Sequence, residues 1–223
     1  MQLLERIVRV FAPHTCVGCG AEQDLLLCEG CRQSLAPVPS RCYRCKAVTE
    51  AYAVCRECRP RTTLRQVVVY AHHTGLAKEL VHRMKYERAV SGIAEAAELL
   101  AERLPDLPDN VVFVHVPTAT SRARTRGYDH AALLARQLGR LHGAPVRTLL
   151  ARVGQAHQVG ASRAERLRQL QGAFRAVRLE TIVGRHIVLV DDVLTTGATL
   201  ETAARVLKKA GAARVDAIVF AQA

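Results

Sequence analysis

Residues 187–200 limit the fold of this chain more than any other stretch. They read Ile-Val-Leu-Val-Asp-Asp-Val-Leu-Thr-Thr-Gly-Ala-Thr-Leu. The branched apolar run 187–190 predicts a strand buried on both faces, as in a parallel sheet flanked by helices. From Leu200 onward, Leu200, Ala203, Ala204 and Leu207 recur at helical spacing. Lys208 and Lys209 fall in the last turn, and Gly211 supplies a stop. Between strand and helix lie Val193, Leu194, Thr195, Thr196, Gly197, Ala198 and Thr199. Backbone N–H groups left unpaired at a helix start, at the positive end of its dipole, bind phosphate. The hydroxyls of Thr195, Thr196 and Thr199 add donors, and Gly197 lets the backbone approach a ligand closely. Asp191 and Asp192 would repel a phosphate and suit hydroxyl groups instead. A phosphate beside a diol describes ribose 5-phosphate. Adjacent acids at a strand end also occur in response-regulator-like and metal-binding α/β folds, but the Thr-Thr-Gly-x-Thr that follows argues against both.

The eight cysteines carry a second, independent signal. All lie in residues 16–58, as four Cys-x-x-Cys pairs: Cys16 with Cys19, Cys28 with Cys31, Cys42 with Cys45, and Cys55 with Cys58. That grouping is a metal signature rather than a disulfide framework. Each Cys-x-x-Cys turn aims two sulfurs at one point, and two such turns make a closed tetrahedral site for Zn²⁺. Iron–sulfur spacings differ. Residues 12–60 read as two copies of one unit, which pairs the first turn with the second and the third with the fourth. A cross-braced pairing, first with third and second with fourth, stays open. Two structural Zn²⁺ ions are expected, supplying folding free energy to a stretch too short for a core of its own. His14 is read as a bystander. The expected division is residues 1–63, an N-terminal helix and the Cys-rich region, followed by an α/β domain at 64–223.

The formal net charge is +12, and residues 115–185 hold thirteen arginines against three acids. Guanidinium groups match phosphates bidentately, so this segment is expected to meet phosphate-bearing ligands. Further strands are predicted at 67–71, 111–116, 146–150, 173–177 and 215–220. After the strand 111–116 come Pro117 and Thr118, then Arg122, Arg124 and Arg126 on alternate residues, where open α/β sheets bind ligands. An anion site is expected there, a solvated basic loop being the bland alternative. The polar stretch from 152 to 168, with Arg152, Gln158, Arg163 and Arg166, is expected to be a lid. No apolar run approaches the roughly 18 residues of a membrane span. The apolar helical face in residues 1–11 is interrupted by Glu5, Arg6 and Arg9, so no signal peptide is expected and the cytoplasm is the expected location.

The stretch 187–200 closely resembles the motif with which type I phosphoribosyltransferases bind phosphoribosyl pyrophosphate (PRPP). The whole chain resembles the ComF family, named for competence for DNA uptake and including the GntX-type proteins. The match includes the paired cysteine turns, the helix ending in Lys85-Tyr86, and Val116-Pro117 followed by Arg126-Gly127-Tyr128. It continues through Arg152, Gln158, Arg166, Gly172-Ala173-Phe174 and residues 190–199. The resemblance implies a type I phosphoribosyltransferase fold, Rossmann-like, mostly parallel with helices on both faces, preceded by a double zinc ribbon. It further implies that Asp191 and Asp192 are catalytic and contact the ribose hydroxyls, while 193–199 hold the 5′-phosphate. By the same resemblance, Pro117, Thr118, Arg122, Arg124 and Arg126 meet the pyrophosphate, with Arg163 a further candidate and Mg²⁺ sharing the charge. Where the family tends to have Asn-Gln, this chain has Asp129-His130; Gln169 replaces a usual Asn and Ala161 a usual Leu.

Two functional classes follow from the resemblance. One is a phosphoribosyltransferase-like protein that binds PRPP or a related ribose phosphate and serves DNA uptake in natural transformation, with its acceptor unspecified. The other is a non-enzymatic accessory of DNA import. It would bind single-stranded DNA, use the fold as a nucleotide or PRPP sensor, and work with DNA-uptake machinery proteins at the inner face of the membrane. Aromatic residues make up 4% of the chain, with no Trp. Strand affinity would therefore rest on phosphates rather than base stacking, and would fall with salt.

Overall fold

The computed structural model describes residues 14–23, 25–86, 90–118, 127–153 and 172–223. In chain order its elements are β1 (His14–Thr15), β2 (Glu22–Gln23), α1 (Glu29–Ser34), β3 (Val67–His72), α2 (Gly75–Tyr86) and α3 (Val90–Ala101). There follow β4 (Val111–His115), α4 (His130–Leu141), β5 (Leu150–Arg152), β6 (Phe174–Ala176), β7 (His186–Leu194), α5 (Ala198–Lys209) and β8 (Arg214–Gln222). Four strands form a parallel sheet in the order β3-β8-β7-β4. β1 pairs with β2, and β5 with β6, as small antiparallel pairs.

Two-sided burial of 187–190 explains why the sheet has helices on both faces. Val188 and Val190 share a core with Phe113, Leu80, Ile93 and Leu134, beneath α2, α3 and α4. Ile187 and Leu189 face the other way, into a core with Val114, Phe174, Leu200 and Ala204 beneath α5 and the β5–β6 pair. Each fully buried Val, Leu or Ile contributes about 1.5–3 kcal/mol, so this alternation settles the register of β7.

The cysteine region adds to both cores. Leu26, Leu27 and Leu35 belong to the first, and Val38, Tyr43 and Val54 to the second. Two buried glutamates dock the two halves of that region. Glu95 of α3 accepts from Leu26 N at 2.6 Å and Leu27 N at 2.9 Å. Glu201 of α5 accepts from Tyr43 Oη at 2.7 Å and Thr63 N at 2.9 Å. A buried carboxylate needs such donors, so each glutamate fixes its module against one helix. Gly92 allows close approach at the first junction, since a Cβ there would lie 2.6 Å from Leu26 Cδ1.

Two strands differ from expectation. The central strand runs on past Val190 to Leu194, because β8 is equally long and pairs with it as far as Gln222 beside Leu194. The stretch expected as a strand at 146–150 meets the sheet only through one parallel bridge, Val146 to Phe113. Arg147 and Thr148 are exposed, and the chain then leaves the sheet to pair with β6 from Leu150.

Candidate functional site

β4 ends at His115, which stands beside Val190, whereas β8 follows β7 four residues further. Beyond the hydrogen bond from Val116 N to Val190 O, at 3.0 Å, no β4 residue continues alongside β7. This step in the sheet, at the carboxyl ends of its strands, is where open α/β sheets form their ligand crevice. Asp191 and Asp192 occupy it, with a carboxylate oxygen of each and a ring nitrogen of His130 all within 4.8 Å of one another.

The two carboxylates have different surroundings. Asp192 is buried on the α2 and α4 side, with Lys85 Nζ 2.5 Å and His130 Nε2 2.9 Å from its Oδ2. Burial alone would raise its pKa, but His130 and Lys85 outweigh that and hold it well below the usual carboxylate range. Asp191 is partly open to solvent, and its Oδ1 accepts from Asp192 N at 2.9 Å. The protein around it still desolvates the carboxyl and, with the neighbouring charge of Asp192, pushes its pKa well up. One acid is thus held ionised by Lys85 and by its contact with His130, and the other forms no ion pair among the described residues.

The turn after β7 carries the donors. Gly197 has φ 77° and, having no side chain, caps none of the N–H groups of Thr199 and Leu200 in the first turn of α5, which are left for a ligand. Thr195 and Thr196 are exposed, and Thr196 Oγ1 accepts from Ala198 N at 3.4 Å. Val193 and Leu194 are the last residues of β7, while Ala198 and Thr199 form the first turn of α5. The structure therefore brings all of 191–199 into one strand–turn–helix corner.

Pro117 and Thr118 stand at the foot of the basic loop. Thr118 N donates to Asp129 Oδ2 at 3.1 Å, and Asp129 Oδ1 caps α4 by accepting from Ala132 N at 3.2 Å. Arg152, at the root of the expected lid, donates to Pro117 O at 3.4 Å and lies 5.5 Å from the centre of the Phe174 ring. Both loops thus spring from one corner. Arg122, Arg124, Arg126, Gln158, Arg163 and Arg166 lie outside the described residues.

Sequence reasoning assigned no role to Lys85, His130 or Tyr43. Lys85 and His130 belonged to quoted motifs, but nothing in local spacing ties either one to Asp192. Tyr43 sits between two cysteines, and its ring covers the turn after β7: a Cβ on Gly197 would lie 2.8 Å from Tyr43 Cε2.

The cysteines form two groups, Cys16, Cys19, Cys28 and Cys31, then Cys42, Cys45, Cys55 and Cys58, each with its sulfurs within 4.8 Å of one another. Pairing is sequential, not cross-braced. Cys19 and Cys28 sulfurs are 3.7 Å apart, and Cys45 and Cys55 sulfurs 3.5 Å. A tetrahedron with Zn–S bonds of about 2.3 Å has edges of about 3.8 Å, so both groups fit zinc. Burial would raise the Cys16 thiol, yet the N–H groups of Cys28, Cys19 and Gly18 pull it down to about 6. Cys42 is likewise brought to about 6, by the N–H groups of Cys45, Cys55 and Arg44. Hydrogen bonds from the neighbouring sulfurs push Cys31 up to about 12, and burial followed by the same kind of contact does so for Cys58. Four sulfurs competing for charge in this way are what a divalent cation would relieve.

The phosphoribosyl transferase domain family matches residues 124–223. Competence protein F of Haemophilus influenzae is 28% identical over 96% of this chain and 99% of its own. Competence protein ComFC of Bacillus subtilis is 30% identical, covering 85% of this chain and 81% of its own. DNA utilization protein YhgH of Escherichia coli is 33% identical, over 85% and 87%. Among solved structures, the glutamine PRPP amidotransferase of B. subtilis aligns at a TM-score of 0.43 and 19% identity, over 62% of this chain and 30% of that one. The chain belongs to the ComF family of competence and DNA-utilisation proteins, with a type I phosphoribosyltransferase fold behind two Cys₄ modules.

Proposed function

We propose that this protein binds PRPP or a related ribose 5-phosphate at the corner formed by Asp191, Asp192 and residues 193–199, and that this binding serves DNA uptake. The observation that carries the reading is the unequal pair of acids beside an uncapped helix start. Asp191 and Asp192 accept from the ribose hydroxyls, while the first turn of α5 and the threonines hold the 5′-phosphate. Mg²⁺ fits beside Asp191, the carboxylate not already held by Lys85 and His130, since this ion takes one or two carboxylates together with substrate phosphates. When bound it would share the charge of the pyrophosphate.

In a transfer reaction, C1 of the ribose becomes cationic as pyrophosphate leaves. The two carboxylates then stabilise the sugar cation, and the loop rising from Pro117 and Thr118 holds the leaving group. Zn²⁺ in the two Cys₄ groups is structural, because closed sites offer no open position. Residues 1–63 and 64–223 are proposed as the two functional parts.

A second reading, a non-enzymatic accessory that binds single-stranded DNA, draws on the arginine surplus of 115–185 and on the DNA utilization name of the E. coli relative. No helix among the described residues is long and apolar enough to cross a membrane. A cytoplasmic protein acting with uptake machinery at the membrane's inner face fits both readings.

Thermal melting with ribose 5-phosphate and with PRPP, each with and without Mg²⁺, tests the binding. Ligand at 100 times Kd adds about 2.7 kcal/mol, enough to resolve. Pyrophosphate release across a set of bases then separates an enzyme from a sensor. Absence of any melting shift with either sugar phosphate would sink the first reading.

A further inference from the structure

The crevice at Asp191 and Asp192 has a basic wall built apart from the arginine loop. Lys85, in the last turn of α2, sets its Nζ 2.5 Å from Asp192 Oδ2, and its side chain is 21% exposed. An ammonium carries three N–H donors, and a single contact with a carboxylate oxygen uses one. Among the described residues Lys85 has no other hydrogen bond or ion pair. Asp192 Oδ2 also meets His130 Nε2, at 2.9 Å, so this acid has a partner besides Lys85. Two ammonium N–H groups are therefore left to the crevice, in a partly desolvated setting where an unmet donor is costly.

Three consecutive residues tie this lysine to the loop that starts at Pro117 and Thr118. Tyr128 Oη donates to Met84 O, next to Lys85. Asp129 Oδ2 accepts from Thr118 N at 3.1 Å, and His130 meets Asp192. Thr118 precedes the loop and Tyr128 follows it, so both of its ends are pinned beside Lys85. His73, just after β3, lies within electrostatic reach of Lys85 and Asp192. Burial first, and Lys85 second, hold its imidazole below the usual value against the pull of Asp192. It adds a neutral hydrogen-bonding group to the wall rather than a further charge.

The ribose-phosphate reading, on which this inference rests, gives the wall a target. In that reading the 5′-phosphate lies in the turn 193–199, against Tyr43 of the second cysteine module. Lys85 stands elsewhere, on the α2 and α4 side of Asp192. In a ribose ring C1 is bonded to C2, so a group on C1 projects beside the 2-hydroxyl that the acids accept from. Free ribose 5-phosphate carries a neutral hydroxyl at C1, whereas PRPP carries a pyrophosphate there. A point charge fixed beside the acid pair gains far more from an ionised oxygen than from a hydroxyl.

We propose that Lys85 is a specificity-determining residue of this site. It donates to the phosphoryl group on C1, with Asp192 Oδ2 holding it in position, and so selects a ribose pyrophosphorylated at C1 over free ribose 5-phosphate. The contact comes from α2 and is additional to anything the arginines of the loop supply.

The test uses the full chain purified with zinc, at fixed Mg²⁺, with PRPP and ribose 5-phosphate titrated separately by calorimetry. Lys85→Gln should lower PRPP affinity about tenfold more than ribose 5-phosphate affinity, the scale of one hydrogen bond between charged groups. Lys85→Arg, which keeps the charge, should restore most of that difference. Equal losses for the two ligands would mean that Lys85 only holds Asp192, and they overturn the proposal. Normal binding of both ligands with an unchanged ratio in Lys85→Gln sinks the proposal and leaves the ribose-phosphate reading standing. A wild-type chain that binds neither ligand removes both together. Should Lys85→Gln fail to fold, the wild-type chain decides: mass spectrometry after amine acylation should find Lys85 protected by PRPP and not by ribose 5-phosphate. Protection by both ligands, or by neither, counts against the proposal.

Discussion

Tyr43 Oη donates to Glu201 Oε1 at 2.7 Å, joining the second cysteine module to α5, the helix that follows the turn at Gly197. Burial first, and the carboxylate second, push the phenol pKa far above its usual value, so Tyr43 remains a donor at any working pH. Glu201 also receives Thr63 N and Leu64 N, and Gln222 Nε2 at the end of β8 donates to Tyr43 O at 3.3 Å. The module is therefore a wall of the candidate site. Tyr43→Phe removes a buried hydrogen bond to a charged group and should cost about 1.5–3 kcal/mol in chemical denaturation. It should also weaken ribose 5-phosphate binding by loosening the turn. Unchanged affinity in this variant would confine Tyr43 to a packing role.

Gly197 tests the same contact from the other side. Its φ of 77° is left-handed, and an added Cβ would meet the Tyr43 ring at 2.8 Å. Gly197→Ala should cost about 1–2 kcal/mol for the backbone and about 1–3 kcal/mol for the overlap. Tyr43→Ala removes the ring, so the double variant should lose less than the sum of the two single changes. Strict additivity would mean that the ring does not press on the turn.

Metal content should be two zinc ions per chain, with Cys28→Ser and Cys55→Ser each removing one. Chelation should lower the melting temperature of the entire chain, because Leu26 and Tyr43 lie in the cores of the sheet itself. The two losses should differ in function. Ribose 5-phosphate binding should suffer more from Cys55→Ser, since Tyr43 belongs to the second module. Equal effects would detach the turn at Gly197 from that module.

The sheet, the sequential cysteine groups and the corner at 191–199 were legible because each rests on local pattern. Two-sided apolar runs, Cys-x-x-Cys turns and a strand–turn–helix junction are short-range signals. What escaped was long-range. Lys85 and His130 meet only because α2 and α4 both end or begin at the step left by β4, and that step depends on strand lengths in the assembled sheet. Tyr43 was invisible for the same reason, its partner Glu201 lying across the whole chain. At 146–150 the alternation resembled a strand, yet a single bridge to Phe113 forms before the chain departs to pair with β6.

The unequal acids should give the site an unusual response to pH. Asp192 is held below its unfolded value of about 3.9, so its stabilising contribution is present at neutrality and lost only as pH falls through the depressed folded value. Asp191 has the opposite sign. Its folded pKa is raised by burial and by Asp192, so the folded state carries a cost at neutrality that fades as pH falls through that raised value. Sugar binding runs the other way, because ribose hydroxyls donate best to an ionised Asp191. Acidification from neutrality toward about pH 4 should therefore reduce the Asp191 cost while weakening ribose 5-phosphate binding. Asp191→Asn should be more stable than wild type at neutrality and bind the sugar phosphate poorly. Asp192→Asn should be less stable by about 3 kcal/mol, because Lys85 loses its counter-charge and His130 its carboxylate partner. Comparing each variant with wild type at the same pH removes the common contribution of metal release. If Asp191→Asn is the less stable protein at neutrality, or binds ribose 5-phosphate as wild type does, Asp191 neither bears the cost assigned to it nor reads the sugar.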